Sequence, residues 1–178
     1  MKTSLPILAA TLAIGTLSAV HAQSALQLSS TSIVDGRIAR QHACAMQGGQ
    51  DQSLQLTVTQ VPAEAHFLSI VVDDPDAVAV AGKIWVHWNL LNVTVTGDMA
   101  IATGAAPAGD VVRSTGGAKG YEGMCPPNGT HNYRIAAFAT RDKLALGGFF
   151  GPSAMTIEDF ERKYGAQVLA KGMLQGQF

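Results

Sequence analysis

Asp73, Asp74 and Asp76 stand together where the apolar run Phe67–Val72 stops at Pro75. Downstream, His87 lies between Trp85 and Trp88, and a third polar stretch runs from Cys125 through Pro126, Pro127 and His131 to Tyr133. Two imidazoles, a phenol and a carboxylate converging in a partly dry cavity would hold a small phosphate or carboxylate, or an amine on the Asp74 side. A neighbouring carboxylate favours imidazolium, so His87 is expected to bind an anion in its protonated form. Pro126 and Pro127 have no N–H to offer and would stiffen the wall of such a cavity. Asp76 is expected to make local turn hydrogen bonds.

Other chemistries fit the same residues less well. His87, His131, Asp74 and Cys125 are zinc-ligand types, but no Cys-x-x-Cys or His-x-x-x-His pair occurs. Asp74 and His87 could serve a hydrolase, yet no Gly-x-Ser-x-Gly elbow is present. Gly116–Gly120 lacks the lysine spacing of a phosphate-binding P-loop. A binding module is therefore expected rather than an enzyme, with no metal and no cofactor.

The elements that must position these residues read as strands. Leu26–Ile33 alternates loosely, and Leu54–Val58 alternates with period two. The continuous apolar run Phe67–Val72 predicts a strand buried on both faces. Ile84–Val95 predicts a long strand with Trp85, His87 and Asn89 on one face. Gly97–Lys119 reads as a long loop, and Tyr133–Thr140 as another strand with Tyr133, Ile135 and Ala137 on one face. Thr156–Lys171 predicts a helix from Ile157, Phe160, Tyr164 and Val168, opened by a Thr156/Asp159 capping box, with Gly165 as a possible bend. Met173–Phe178 could add a final short strand. The fold class is mostly β, a two-sheet antiparallel sandwich with a C-terminal helical segment.

Composition sets the setting. Lys2, the apolar stretch Ile7–Val20 and the small residues around Ala22 predict a signal peptide over residues 1–22, cleaved near Ala22. The apolar stretch is short for a stable membrane span. Residues 23–178 would form one domain, periplasmic or secreted. Without Lys2, the 12 Lys and Arg against 13 Asp and Glu leave that domain weakly acidic, with no basic stripe for nucleic acid. Export favours a Cys44–Cys125 disulfide over two buried thiols or a metal pair. It would close a loop of about 80 residues, worth on the order of 3–5 kcal/mol.

Asp74-Pro75-Asp76-Ala77, then Trp85-x-His87-Trp88, then Gly120-Tyr121-x-Gly123-x-Cys125-Pro126-Pro127-x-Gly129-x-His131-x-Tyr133 resemble the phosphatidylethanolamine-binding proteins. The exported bacterial branch, often called Raf kinase inhibitor-like, matches best, and the segment Val168–Gly176 resembles it too. The resemblance implies a β-sandwich with a small anion pocket for phosphate-type head groups at one end. By matching positions it assigns Asp74, His87, Met124, Cys125, Pro126, Pro127, His131 and Tyr133 to that pocket, with Trp85 beside it. The implied partner is a small anion or phospholipid head group. A second implication is an inhibitor or regulator of a protease or other protein. The chain departs from the family pattern at Val78 (often proline), Asn132 (often arginine), Gln167 (often histidine) and Ser53-Leu54 (Ser-Pro expected). Loss of the arginine implies weaker anion binding.

Overall fold

The computed structural model describes residues 24–147 and 153–178. The expected signal peptide at 1–22 lies outside them. The strands are β1 (Ser24–Ala25), β2 (Gln27–Ser29), β3 (Ile33–Val34), β4 (Arg37–Ile38), β5 (Leu56–Thr59), β6 (Phe67–Asp74), β7 (Trp85–Thr94), β8 (Met99–Ile101), β9 (Asp110–Val112), β10 (Asn132–Thr140) and β11 (Val168–Gln177). Two short helices accompany them, α1 (Val78–Ala81) and α2 (Ile157–Tyr164).

An eight-stranded sheet runs β3-β4-β11-β10-β6-β7-β9, with β1 on β11, and a three-stranded sheet runs β2-β5-β8. Pairing is antiparallel except for β1 and β4, which run parallel to β11. Leu56, Val58, Ile70, Val72, Trp88, Leu90, Ile135 and Ala137 fill the space between the sheets. The outer face of the large sheet is covered by α2, with Val71, Leu91, Ala136 and Phe138 against Ile157, Phe160 and Tyr164. Phe160 stacks on Phe138 with ring centroids 4.1 Å apart. This two-sided burial is why Phe67–Val72 reads as an unbroken apolar run.

Three expectations are corrected. The Leu26–Ile33 strand is broken into β2 and β3 around a turn in which Ser30 and Ser32 bond to Gln55. The Gly97–Lys119 loop contains β8 and β9. The helix expected over Thr156–Lys171 ends at Tyr164, and Val168 already belongs to β11. The capping box is present, with Thr156 and Asp159 bonding each other's backbone N–H. Past Gly165, burial alternates: Val168, Ala170 and Gly172 are buried, Leu169 and Lys171 less so. Val168 joins the same apolar cluster as Phe160 and Tyr164, so it fits a helical period while sitting on a strand.

Candidate functional site

The three carboxylates at the end of β6 go three ways. Asp73 points to the α2 side, where it accepts two bonds from Arg134 and one from the Ile157 N–H. Asp74, on the opposite face, accepts from the Ala77 N–H at 3.2 Å, capping the turn that Pro75 starts. Asp76 accepts from the Asn132 N–H and side chain at 2.8 and 2.7 Å. These bonds reach across the fold, not locally as expected, and hold the Asp76 carboxyl below its usual value. Asn132, standing where the family often has arginine, is thereby turned to Asp76.

His87 owes its placement to a β-bulge. Val72 pairs with Trp88 and Asp73 with Val86, so His87 has no partner across the ladder. The extra residue resets the alternation. Trp85 and His87 face one cavity, but Asn89 faces the other side of the sheet, where it bonds the Met155 backbone. The expectation of a face shared by all three is corrected accordingly.

The His87 Nδ1–H donates to the Glu122 carbonyl at 2.9 Å, and the Glu122 N–H donates back to the His87 carbonyl at 2.8 Å. Burial pushes the His87 pKa down, outweighing the Glu122 carbonyl and the charges of Asp74, Glu122 and Asp73 that push it up. The imidazolium expected from the sequence is thus disfavoured: desolvation wins over the neighbouring carboxylates.

His131 is clamped through its backbone to Phe178 by reciprocal bonds of 2.9 and 3.1 Å. Its Nδ1–H donates to Asp74 at 2.7 Å. Tyr133 lies beneath both imidazoles, edge-on to His87 at 5.3 Å and stacked on His131 at 6.4 Å. Its buried hydroxyl makes no hydrogen bond of normal length among the described residues, though the Asp74 carboxylate lies close enough to act on it as an acceptor. Burial first, then the Asp74 and Asp76 charges, push its pKa up, so it stays a donor.

The remaining wall is Cys125-Pro126-Pro127. A disulfide, Cys44–Cys125, joins it to the turn after Ala43, and Gln47 donates to the Pro126 carbonyl at 2.7 Å. Gly123 lets the wall approach closely. A Cβ there would stand 2.5 Å from the Cys44 nitrogen and from an Asp51 carboxylate oxygen.

The result is a cavity of about 280 Å³ lined by Asp74, Trp85, His87, Cys125, Pro126, Pro127 and His131, and by Ala77, Val80, Ala81 and Glu122. Met124 and Tyr133 are not on the lining. Both are buried in the core between the sheets, where the Met124 sulfur accepts the Tyr121 hydroxyl. Sequence reasoning missed Glu122 and the α1 residues. Glu122 lies between Tyr121 and Gly123, and its link to His87 runs through backbone groups that its residue type does not reveal. The α1 residues are apolar and carry no chemical signature. Gln167 lies away from the cavity, on the exposed turn before β11. His42 is a buried structural histidine, bonded to the Gln52 carbonyl at 2.7 Å. Among the described residues, no group of three or more His, Cys, Asp and Glu is placed to hold a metal ion.

Comparison with known proteins gives a consistent picture. A family model described as phosphatidylethanolamine-binding protein matches residues 29–178. A UPF0098 protein of Methanothermobacter thermautotrophicus is 35% identical over 116 residues, covering 62% of this chain and 73% of that protein. LppC of Mycobacterium tuberculosis, named as a lipoprotein, is 45% identical over 80 residues, which are 43% of this chain and 38% of LppC. The crystal structure of CT736 from Chlamydia trachomatis, titled a phosphatidylethanolamine-binding protein homologue, superposes with a TM-score of 0.71 at 28% identity, covering 87% of this chain and 97% of that one. E. coli YbcL shares the fold, with a TM-score of 0.69 at 22% identity.

Proposed function

The chain belongs to the phosphatidylethanolamine-binding protein family, and on that footing we propose that it is an exported binding module whose pocket takes a small oxyanion such as a phosphate head group. One observation carries this reading. Asp74, His87 and His131 converge from β6, β7 and the start of β10 on a cavity of about 280 Å³, with the Tyr133 ring packed against both imidazoles. The volume falls below the roughly 300–1,000 Å³ of drug-sized sites. It suits a head group.

Export is proposed from residues 1–22 and is supported by the lipoprotein name of LppC. The disulfide accords with an oxidising compartment. No helix among the described residues is long and apolar enough to cross a membrane.

Hydrolysis is the weaker reading. Asp74 pairs with His131, an arrangement seen in general bases, but the lining offers no serine or threonine, and Cys125 is in the disulfide. A regulator of another protein draws support from the exposed Val78 and Val80 of α1, 49% and 48% accessible beside the mouth.

The test is an NMR titration with phosphate, phosphoethanolamine and acetate, following amide and imidazole signals. Saturable shifts at His87, His131 and the Cys125 amide are expected. No shifts at millimolar ligand would remove the binding-module reading and leave a protein partner as the object of search.

A further inference from the structure

The pocket is short of cationic donors. Its ionisable lining residues are Asp74, Glu122, His87 and His131, with no lysine or arginine among them. Lys83 instead lies over the Trp85 ring at 5.6 Å and lines a different recess. The backbone N–H groups of Ala77, Glu122 and His131 are engaged by Asp74, His87 and Phe178, and Pro126 and Pro127 have none.

The imidazoles are fixed in orientation as well. The His87 Nδ1–H is held by the Glu122 carbonyl and that of His131 by the Asp74 carboxylate. Each ring can therefore meet a ligand only through Nε2. A neutral His87 presents a lone pair there, not a proton. The groups around His87 are Asp74 from β6, Glu122 from the wall, His131, and Tyr133 from β10, edge-on to its ring, with the Asp73 charge acting from the opposite face of β6. Burial outweighs the carboxylates among them and keeps the ring neutral. A fully ionised oxyanion, all acceptors, would set lone pair against lone pair at Nε2. An oxyacid that keeps a hydroxyl proton donates to Nε2 and leaves its remaining oxygens free to accept.

Resting on the oxyanion-pocket reading, we propose that the ligand supplies the proton in its contact with His87, so that the pocket selects proton-bearing oxyacids, hydrogen phosphate and singly ionised phosphate monoesters, over fully ionised oxyanions of the same shape. The discrimination follows from leaving a buried acceptor without a donor, which typically separates ligands by roughly tenfold or more. A phosphate monoester, with a second pKa of about 6, enters as its monoanion and binds more weakly as pH rises above that value.

Isothermal titration calorimetry of the protein with inorganic phosphate and with sulfate tests this. Phosphate is expected to bind roughly tenfold or more tightly than sulfate at pH 7.5. Sulfate should gain on it as pH falls and His87 takes up a proton. His87→Gln puts an amide donor near the Nε2 position and should narrow the phosphate-to-sulfate ratio. Equal affinities at pH 7.5, with binding retained, would overturn the proton selection while leaving the oxyanion pocket standing. Failure of both anions to bind would remove the pocket reading and this one with it. Should His87→Gln not fold, the pH dependence of the sulfate affinity of the unaltered protein decides: a ratio that does not move with pH overturns the proposal.

Discussion

Asp74 receives the His131 Nδ1–H at 2.7 Å, with both side chains almost wholly buried. The other Asp74 oxygen caps the turn at Ala77. One carboxylate thus joins the end of β6, the turn into α1 and the entrance to β10, segments far apart in sequence. It also sets which nitrogen of His131 is left for the cavity.

Asp74→Ala removes both bonds. It leaves the Ala77 N–H without its cap and the His131 ring without its anchor. A loss of about 1–3 kcal/mol in stability is expected, and phosphate binding should weaken at least tenfold because His131 is no longer oriented. Urea unfolding reads the first effect and NMR titration the second. Unchanged binding would show that the His131 orientation is immaterial to the pocket.

Asp73→Asn makes a useful contrast, one residue away on the opposite face. It removes the charge and one acceptor oxygen, so the forked pair with Arg134, both bonds at 2.8 Å, is lost as a fork, and the new amide NH2 opposes either the Arg134 guanidinium or the Ile157 N–H at the start of α2. Removing one partner of a buried pair costs about 3–5 kcal/mol. The lower end is expected, because Arg134 reaches solvent and retains Glu158. Phosphate affinity should stay within about twofold, since Asp73 faces α2 and not the cavity. A lower urea midpoint with intact binding is the predicted pair of readings.

The Cys44→Ser/Cys125→Ser double variant releases a crosslink spanning 81 residues. It should lower stability by about 2–5 kcal/mol. Binding should also weaken, because the Cys125-Pro126-Pro127 wall is then tied only through the Met124 backbone bridge to Ala43 and Cys44 and the Gln47 bond to the Pro126 carbonyl among the described residues. Reduction of the unaltered protein by a dithiol should reproduce both effects in unfolding and titration experiments. A stability loss without any change in affinity would mean that the wall is held by packing alone.

Much of this arrangement was legible in the sequence, and the exceptions have physical causes. The run Phe67–Val72 announced a strand covered on both sides, and the Cys44–Cys125 pair is bridged as the composition implied. The bulge at His87 was not legible, since one inserted residue leaves no compositional trace yet moves Asn89 to the other face. The length of α2 was misread because Val168 packs where a helical residue would. The charge of His87 was misread because its carboxylate neighbours are visible in sequence and its burial is not.

That burial makes a final prediction about pH. His87 and His42 are both pushed below their ordinary value of 6.5, in each case chiefly by desolvation. Between the lowered value and about 6.5, the unfolded chain binds protons that the native state refuses, so stability falls as pH drops through that window and is complete above it. Asp76 and Glu158 are shifted down for a different reason, hydrogen bonds from Asn132 and Arg134. Their contribution is present above the usual carboxylate value and disappears only as pH falls through their lowered ones. The thermal midpoint should therefore be flat above about pH 7, decline as pH falls below about 6.5 through the imidazoles, and decline again below about pH 4 through the carboxylates. Calorimetry across that range checks the shape. Replacing His42 by Gln should shrink the first decline and leave the second in place. A midpoint unchanged between pH 7.5 and 5.5 would show that the two buried imidazoles titrate as they do in the unfolded chain.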